Sequence, residues 1–159
     1  MTTVPGETSP VRIRPAERAD LLAVIRIERA SFPSPWPYEA FDGFLGNPRF
    51  LVALDDVDGG NGPVVGFLVA DVVRTYGRPI GHVKNLAVHP DRRGEGVGSA
   101  LLSRALSVMD DVSTVKLEVR ESNDAAKRLY RRFGFEPLRR VPEYYDNDED
   151  AVVMIREGE

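Results

Sequence analysis

One turn constrains the fold of this chain more than any other feature, because it joins a predicted strand to a predicted helix and carries three glycines at alternating positions. It spans residues 89–99 and reads HPDRRGEGVGS. Glycines lack a Cβ atom, so several backbone N–H groups can point into one concavity and approach a ligand closely. The first N–H groups and the positive dipole end of the following helix also attract an anion. The turn therefore predicts a pyrophosphate cradle, with a flexible turn before a helix as the simpler alternative.

The glycine spacing argues against two common nucleotide-binding motifs. A Walker A loop needs a Gly-Lys-Ser/Thr run, and none follows this turn. The dinucleotide fingerprint places its third glycine one position later than Gly98. The three glycines, the adjacent pair Arg92-Arg93 and the strand–helix context still favour phosphate binding over a plain turn. A nucleotide-binding module is thus the weaker interpretation.

The hydrophobic pattern on either side of the turn predicts a mixed α/β arrangement in one domain. Short apolar or alternating runs indicate strands, and residues 97–109 are apolar at helical spacing. The predicted order is β-α-α-β-β-β-α-β-α-β-β. The last two strands, 141–145 and 151–155, are predicted to form a closing hairpin. Residues 1–10 are predicted to be a flexible tail, and 11–159 the domain.

The composition excludes several classes of site and partner. The chain has no cysteine, which rules out disulfides, thiolate metal sites and a cysteine nucleophile. Its two histidines, His82 and His89, do not have the spacing of a zinc motif, so no metal is expected. A net charge of -4 predicts no broad basic surface for nucleic acid. Without a signal peptide or an apolar run of membrane length, we expect a cytoplasmic protein with no membrane partner.

Two motifs resemble the signatures of the GNAT superfamily of N-acetyltransferases. Arg93-x-x-Gly96-x-Gly98 matches the first signature, Q/R-x-x-G-x-G/A. The second signature is matched by the segment 123–135, which reads NDAAKRLYRRFGF. The two motifs occur in the family's order and separation, and the resemblance extends from about residue 11 onward. It implies one domain with a twisted, mostly antiparallel sheet that is splayed where acetyl-CoA binds.

The resemblance also implies acetyl-CoA as co-substrate, bound by two motifs. The backbone of the residues matching Leu86, Ala87 and Val88 would pair with the pantetheine arm, and one of its amides would polarise the thioester carbonyl. The residue matching Asn123 would contact the cofactor arm. The remaining predicted cofactor residues, around the pyrophosphate, are Arg93, Gly94, Glu95, Gly96, Val97, Gly98 and Ser99.

Acetyl transfer to an amine needs a neutral amine, a polarised thioester carbonyl and a proton for the leaving thiolate. The ordinary pKa of an α-amine is about 7.7–8.0, against about 10.4 for lysine, so an α-amine is already partly neutral at cell pH. Glu118 and Tyr130 are the candidates for base and acid. On their types and positions alone, Glu118 is better interpreted as a solvent-facing strand residue and Tyr130 as a core aromatic.

A closer resemblance assigns roles to these residues. The segment 117–123, LEVRESN, is similar to a strand of the RimI-type ribosomal-protein alanine N-acetyltransferases, in which the matching glutamate accepts and the matching tyrosine donates a proton. His82 is a second candidate base, because Gly81-His82-Val83 resembles a segment of the Ard1-type N-terminal acetyltransferases and histidine titrates near neutral pH. Some Ard1-type enzymes use a carboxylate where this chain has Ser34, and this departure favours Glu118.

Two further segments indicate a peptide substrate. The loop carrying Phe32 and Pro33 resembles the one that flanks the peptide entrance in protein N-terminal acetyltransferases. Tyr144 and Tyr145 resemble part of the C-terminal hairpin of those enzymes, and paired tyrosines can clamp an extended peptide. The expected acceptors are protein N-termini, either of one ribosomal protein or of many proteins. We expect a monomer or a weak dimer.

Two other functions stay open on the sequence. One is a GNAT enzyme that acetylates lysine or a small-molecule amine, which peptides with a blocked N-terminus would reveal. The other is a non-catalytic acyl-CoA-binding domain, in which Tyr130→Phe would change nothing. The presence of both Glu118 and Tyr130 argues against the second.

Overall fold

The computed structural model describes residues 11–56 and 62–158, so the predicted tail over 1–10 lies outside the described residues. The helices and strands follow the predicted order, which is confirmed. The strands are β1 (Val11–Pro15), β2 (Phe50–Asp55), β3 (Val64–Thr75), β4 (Arg78–Val88), β5 (Thr114–Arg120), β6 (Glu136–Val141) and β7 (Ala151–Glu157). The helices are α1 (Leu21–Ser31), α2 (Tyr38–Asp42), α3 (Val97–Ser107) and α4 (Asp124–Arg132).

Within the described residues the strands form a seven-stranded sheet in the order β1-β2-β3-β4-β5-β7-β6. β4 and β5 are parallel, with Gly81, His82 and Val83 opposite Val115, Lys116 and Leu117. The pairings of β1 with β2, β2 with β3, β5 with β7 and β6 with β7 are antiparallel. The predicted mixed, mostly antiparallel sheet is confirmed, and its splaying at a cofactor stays a prediction.

The described residues form two compact units. The first unit contains the residues up to Val69 together with Asn85–Val108, and the second contains Ala70–Lys84 and the residues from Met109 onward. The strands β3 and β4 contribute to both. Among the described residues, no helix has the length and apolarity that crossing a membrane would need.

The core of the first unit lies between helix α1, helix α2 and the strands β2 and β3. Along α1 the buried apolar residues recur at helical spacing, because that periodicity places them on one stripe: Leu21, Val24, Ile25 and Ile27. Phe41 of α2 is fully buried, and its ring lies 5.4 Å from the rings of both Trp36 and Phe67. These contacts attach the loop between α1 and α2 to the sheet.

In the second unit, strand β5 separates a buried face from a partly exposed face. Val115, Leu117 and Val119 are buried, while the alternating residues Lys116 and Glu118 are partly exposed. Successive side chains of a strand point to opposite faces, so the exposed set shares one face of β5. This face carries the chemistry described below.

The bounds predicted for the first strand of the closing hairpin, 141–145, are wrong. β6 ends at Val141, and Tyr144 and Tyr145 lie in the loop 142–150 that leads to β7. The extended backbone breaks where Glu143 adopts a φ of 51°, in the left-handed region. The Asp150 carboxylate accepts a hydrogen bond from the Glu143 N–H at 3.0 Å, which helps to hold this bend.

Candidate active site

The glycine-rich turn lies in the first unit and has a backbone that only glycine adopts easily. Gly94 has a φ of 77° and Gly96 a φ of 84°, both in the left-handed region. Gly96 is the N-cap residue of α3, so the helix begins at Val97 directly after the bend. The predicted cradle therefore has the required form, a tight turn that ends in a helix N-terminus.

Charged side chains hold this turn in place. Arg92 donates to the Glu95 carboxylate at 2.6 Å and forms an ion pair with Asp55 at 2.8 Å. Arg93 donates to the backbone carbonyl of Val88 at 3.1 Å, and its guanidinium also contacts α1. Arg93 and Glu95 were predicted as cofactor residues, and the structure uses both side chains to shape the turn. The role of Arg92 was missed, because its carboxylate partner Asp55 lies far away in sequence.

The residues present fit a pyrophosphate. The first turn of α3 consists of Val97, Gly98 and Ser99 and contains no acidic residue, so no nearby carboxylate on the helix opposes an anion. The N-terminal N–H groups of a helix point along its axis toward such a ligand. Leu86, Ala87 and Val88 form the last residues of β4, directly before this turn. The predicted cofactor residues of the first unit therefore form one continuous segment.

In the second unit the two candidate bases contact each other. His82 Nε2 lies 2.7 Å from Glu118 Oε1, although 36 residues separate them in sequence. The parallel register explains the contact, since His82 lies opposite Lys116 and Glu118 is two residues further along the same face of β5. The sequence presented these residues as alternatives, and the structure joins them in one pair.

Charges around Glu118 keep its carboxyl group ionised. Burial acts to raise the pKa of Glu118, but the hydrogen bond of His82, the charge of His82 when it is protonated and the charges of Lys116 and Lys84 together lower it below its ordinary value. Lys116 Nζ lies 3.8 Å from the carboxylate. An ionised carboxylate can only accept hydrogen bonds, so His82 Nε2 carries the proton of this contact. The other ring nitrogen of neutral His82, Nδ1, is then an acceptor.

The tyrosine pair predicted to bind substrate belongs to the same cluster. Burial and then the negative charge of the nearby Glu118 carboxylate raise the pKa of Tyr144. The rings of Tyr144 and Tyr145 meet edge to face, with centroids 4.9 Å apart. The Arg120 guanidinium lies 4.0 Å from the centre of the Tyr145 ring. Five side chains of the second unit, from His82 to Arg120, thus lie in one cluster.

Tyr130 and Asn123, both at helix α4, have different surroundings. Tyr130 is buried, its ring meets Phe135 edge to face at 5.7 Å, and burial followed by the influence of Tyr145 raises its pKa. Asn123 caps α4, because its side-chain oxygen accepts a hydrogen bond from the Ala126 N–H at 3.1 Å. Its predicted cofactor contact stays a prediction, and the observed role of its side-chain oxygen is structural.

The predicted entrance loop after α1 depends on a residue that sequence reasoning missed. Phe32 packs against the core of the first unit and Pro33 is exposed. Glu28 is only 1% exposed, and its carboxylate accepts from the Trp36 N–H at 2.9 Å and the Asn85 side chain at 2.8 Å. The sequence did contain a signal for Glu28, because it places a carboxylate on the apolar stripe of α1, four residues after Val24.

Comparisons with known proteins show which family the chain is similar to. A family model described as the acetyltransferase (GNAT) family matches residues 21–135. The chain is 32% identical over 154 residues to an N-alpha-acetyltransferase of Sulfurisphaera tokodaii, covering 90% of each protein. It is 33% identical over 143 residues to the [ribosomal protein bS18]-alanine N-acetyltransferase of Escherichia coli, covering 87% of this chain and 91% of that protein. The structure of Ard1 from Thermoplasma volcanium is similar with a TM-score of 0.82 and 31% identity, over 94% of this chain and 98% of that one.

Proposed function

We propose that this chain, which belongs to the acetyltransferase (GNAT) family, transfers the acetyl group of acetyl-CoA to the N-terminal α-amine of proteins. The observation that carries the proposal is the contact between His82 and Glu118 at 2.7 Å, with Tyr144 near the same carboxylate. Two relatives, an N-alpha-acetyltransferase and a ribosomal-protein alanine N-acetyltransferase, support α-amines as acceptors. The loop with the tyrosine pair lies outside residues 21–135, which the family model matches.

The basicity of the His82–Glu118 pair suits an α-amine better than a lysine. An α-ammonium group has an ordinary pKa of about 7.7–8.0 and an imidazole about 6.5, so the proton moves between groups of similar basicity. A lysine ammonium, at about 10.4, would make the same transfer less favourable by several pKa units. Glu118 alone is a weaker base still, because His82 and the neighbouring lysines lower the pKa of its carboxyl group.

We therefore assign proton acceptance to His82 and orientation to Glu118. The carboxylate accepts the Nε2–H of His82, which fixes the tautomer with the lone pair on Nδ1. When Nδ1 takes a proton from the substrate ammonium, the adjacent carboxylate stabilises the imidazolium. Glu118 thus acts through His82 in this proposal, rather than as the direct acceptor that the RimI-type resemblance implies.

The turn of the first unit would hold acetyl-CoA. The start of α3 and the positive-φ glycines Gly94 and Gly96 would bind its pyrophosphate, and the backbone of Leu86 to Val88 its pantetheine arm. When bound, acetyl-CoA supplies an acyl carbon with a thiolate leaving group. Tyr130 is the proposed donor to that sulfur. The ordinary pKa of tyrosine, about 10, already exceeds that of a thiol, about 8.5, and burial raises the pKa of Tyr130 further. Its hydroxyl would therefore stabilise the thiolate mainly by donating a hydrogen bond.

The acceptor peptide is proposed to contact Phe32, Pro33, Tyr144 and Tyr145. Tyr144 is 48% exposed and lies near Glu118, so its ring can touch a substrate next to the reacting amine. An aromatic pair offers rigid apolar surface and hydroxyl groups to an extended chain. The range of proteins acetylated, one ribosomal protein or many, depends on which first residues this cluster admits.

The experiment is acetyl transfer to short peptides that differ only in their first residue and that each contain one internal lysine. Mass spectrometry locates the acetyl group, and copies of the peptides with a blocked N-terminus serve as controls. We expect modification of free α-amines only. Acetylation of the lysine in blocked peptides would contradict the proposal, as would binding of acetyl-CoA without transfer to any peptide.

A further inference from the structure

Arg120 is a buried charge with no role in the catalytic step described above. It is the last residue of β5, it is 9% exposed, and it follows Glu118 by two residues, which places both side chains on the same face of the strand. An arginine is seldom buried without partners that satisfy its donors. Its partners here all belong to the loop 142–150.

Those partners hold the loop at three points. Arg120 Nη1 donates to Asn147 Oδ1 at 2.8 Å and to Glu149 Oε1 at 3.2 Å. Its guanidinium carbon lies 4.0 Å from the centre of the Tyr145 ring. The other Glu149 oxygen accepts the Ser122 N–H at 2.9 Å, which ties the loop to the end of β5. The planar guanidinium thus combines an ion pair with stacking on an aromatic face, which a lysine cannot reproduce.

The loop needs such support because its backbone is strained. Glu143 and Asp148 have φ values of 51° and 64°, in the left-handed region that residues other than glycine seldom occupy. These residues flank the tyrosine pair. The Tyr145 N–H donates to the Glu149 carbonyl at 3.2 Å, so the position of Tyr145 follows that of Glu149.

The contacts continue from Arg120 to the catalytic pair. Tyr145, stacked on Arg120, meets Tyr144 edge to face, and Tyr144 lies near the Glu118 carboxylate, whose charge helps to raise its pKa. We propose that Arg120 is the positioning residue of the acceptor site: it holds the tyrosine pair in the arrangement that binds the substrate peptide, and so determines peptide affinity. The proposal rests on the proposed function, peptide N-terminal acetylation. It concerns binding, and it leaves proton transfer to His82 and Glu118.

The first test is steady-state kinetics of Arg120→Met and Arg120→Lys, with Arg139→Met as the matched control. Arg139 is an exposed residue of β6 and undergoes the same chemical change. For Arg120→Met we expect the peptide KM to rise about tenfold, with kcat and the KM for acetyl-CoA within about twofold of wild type. Arg120→Lys keeps the ion pair and loses the stacking, so we expect a rise of about threefold. Equal changes in all three constants would indicate a general loss of structure and overturn the proposal.

The second test is a double-mutant cycle with Tyr145→Leu. Because Arg120 is proposed to act through Tyr145, Arg120→Met should raise the peptide KM little further once Tyr145 is leucine. Tyr145→Phe retains the ring, so it should retain the dependence on Arg120. Independent effects that multiply to about a hundredfold in the double variant would overturn the proposal. If Arg120→Met does not fold, Arg120→Lys and the tyrosine variants carry the same comparison.

A readout without acetyl transfer separates this proposal from the proposed function. In protein with isotope-labelled tyrosine rings, NMR should show the resonances of Tyr144 and Tyr145 shifting in Arg120→Lys and staying in place in Arg139→Met. If wild type acetylates no peptide but these shifts occur, the proposed function fails while the placement of the tyrosines by Arg120 holds. If wild type is active and neither the resonances nor the peptide KM responds to Arg120, the positioning role is wrong.

Discussion

The cofactor turn of the first unit and the acid–base cluster of the second unit build their chemistry from different parts of the chain. The turn uses backbone groups from one continuous segment, residues 89–99, with Gly94 and Gly96 in the left-handed region. The cluster uses side chains from three separate segments, with His82 and Glu118 36 residues apart in sequence. A backbone site tolerates side-chain changes and fails when its φ angles change. A side-chain site depends on register and fails when one polar atom is removed.

The largest expected effect is in the cluster. Glu118→Gln removes the charge that orients His82 and stabilises its imidazolium, and we expect kcat for peptide acetylation to fall about 100-fold at pH 7, within the range of acid–base catalysis. His82→Phe should have a similar or larger effect, because it removes the acceptor itself. Steady-state kinetics check both variants, with Glu136→Gln of the exposed strand β6 as control. A kcat near wild type in either site variant would remove the pair from the mechanism.

The next effect should appear in the turn. Gly96→Ala places a Cβ atom on a residue with a φ of 84°, at a cost of about 1–2 kcal/mol, so we expect the turn to shift and the KM for acetyl-CoA to rise about tenfold. The peptide KM should change little. Thermal unfolding and steady-state kinetics measure the two consequences.

Gly46→Ala is the matched control for this variant. Gly46 has a φ of 88° and no atom near its missing Cβ, so alanine brings the same backbone strain outside the turn. We expect a similar loss of stability with an unchanged KM for acetyl-CoA. An equal rise of that KM in both variants would show that strain anywhere in the first unit, and not the shape of the turn, affects the cofactor.

A smaller effect tests the second motif. Asn123→Ala removes the cap of α4, and we expect the free energy of unfolding to fall by about 1 kcal/mol, as measured with urea. If Asn123 only caps the helix, the KM for acetyl-CoA stays at its wild-type value. A rise of that KM several times larger than for Ser122→Ala would support the cofactor contact that the GNAT resemblance implies.

The smallest expected effect is the pH dependence of stability. Because the folded protein lowers the pKa of Glu118, its ionised form contributes stability above the ordinary pKa of about 4.3, and this contribution is lost as the pH falls through the lower folded value. Thermal unfolding of wild type and Glu118→Gln should therefore differ most near neutral pH and least near pH ~3. A difference that is constant over this range would contradict the lowered pKa.

The same contrast explains what the sequence could predict. The turn, the order of helices and strands and the GNAT resemblance depend on local spacing, so Gly96, Gly98 and the start of α3 were predictable. His82, Glu118 and Tyr144 were each identified from local resemblance. Their contact was not predicted, because it depends on the register between β4 and β5 and on a loop that was predicted as a strand.

Buried polar partners were also beyond the sequence. Glu28 stands out as a carboxylate on an apolar stripe, but its partners, Asn85 and the Trp36 N–H, come from elsewhere in the first unit. In the sequence, Arg120 is an ordinary residue at the end of a strand. Its contacts with the loop 142–150 appear only in the folded structure. In both cases the signal is a charge at a buried position, and its meaning comes from tertiary contacts.

The central claim, that His82 removes a proton from an α-amine, is tested most directly by the pH dependence of kcat/KM. Wild type and His82→Phe are compared with one alanine-initiated peptide between about pH 6 and pH 9.5, a range that spans the ordinary pKa of the α-amine. The account predicts that the defect of the variant is largest at low pH and shrinks steadily as the free amine becomes neutral in water. A defect of the same size at every pH would contradict proton removal by His82 and would assign it a structural or binding role.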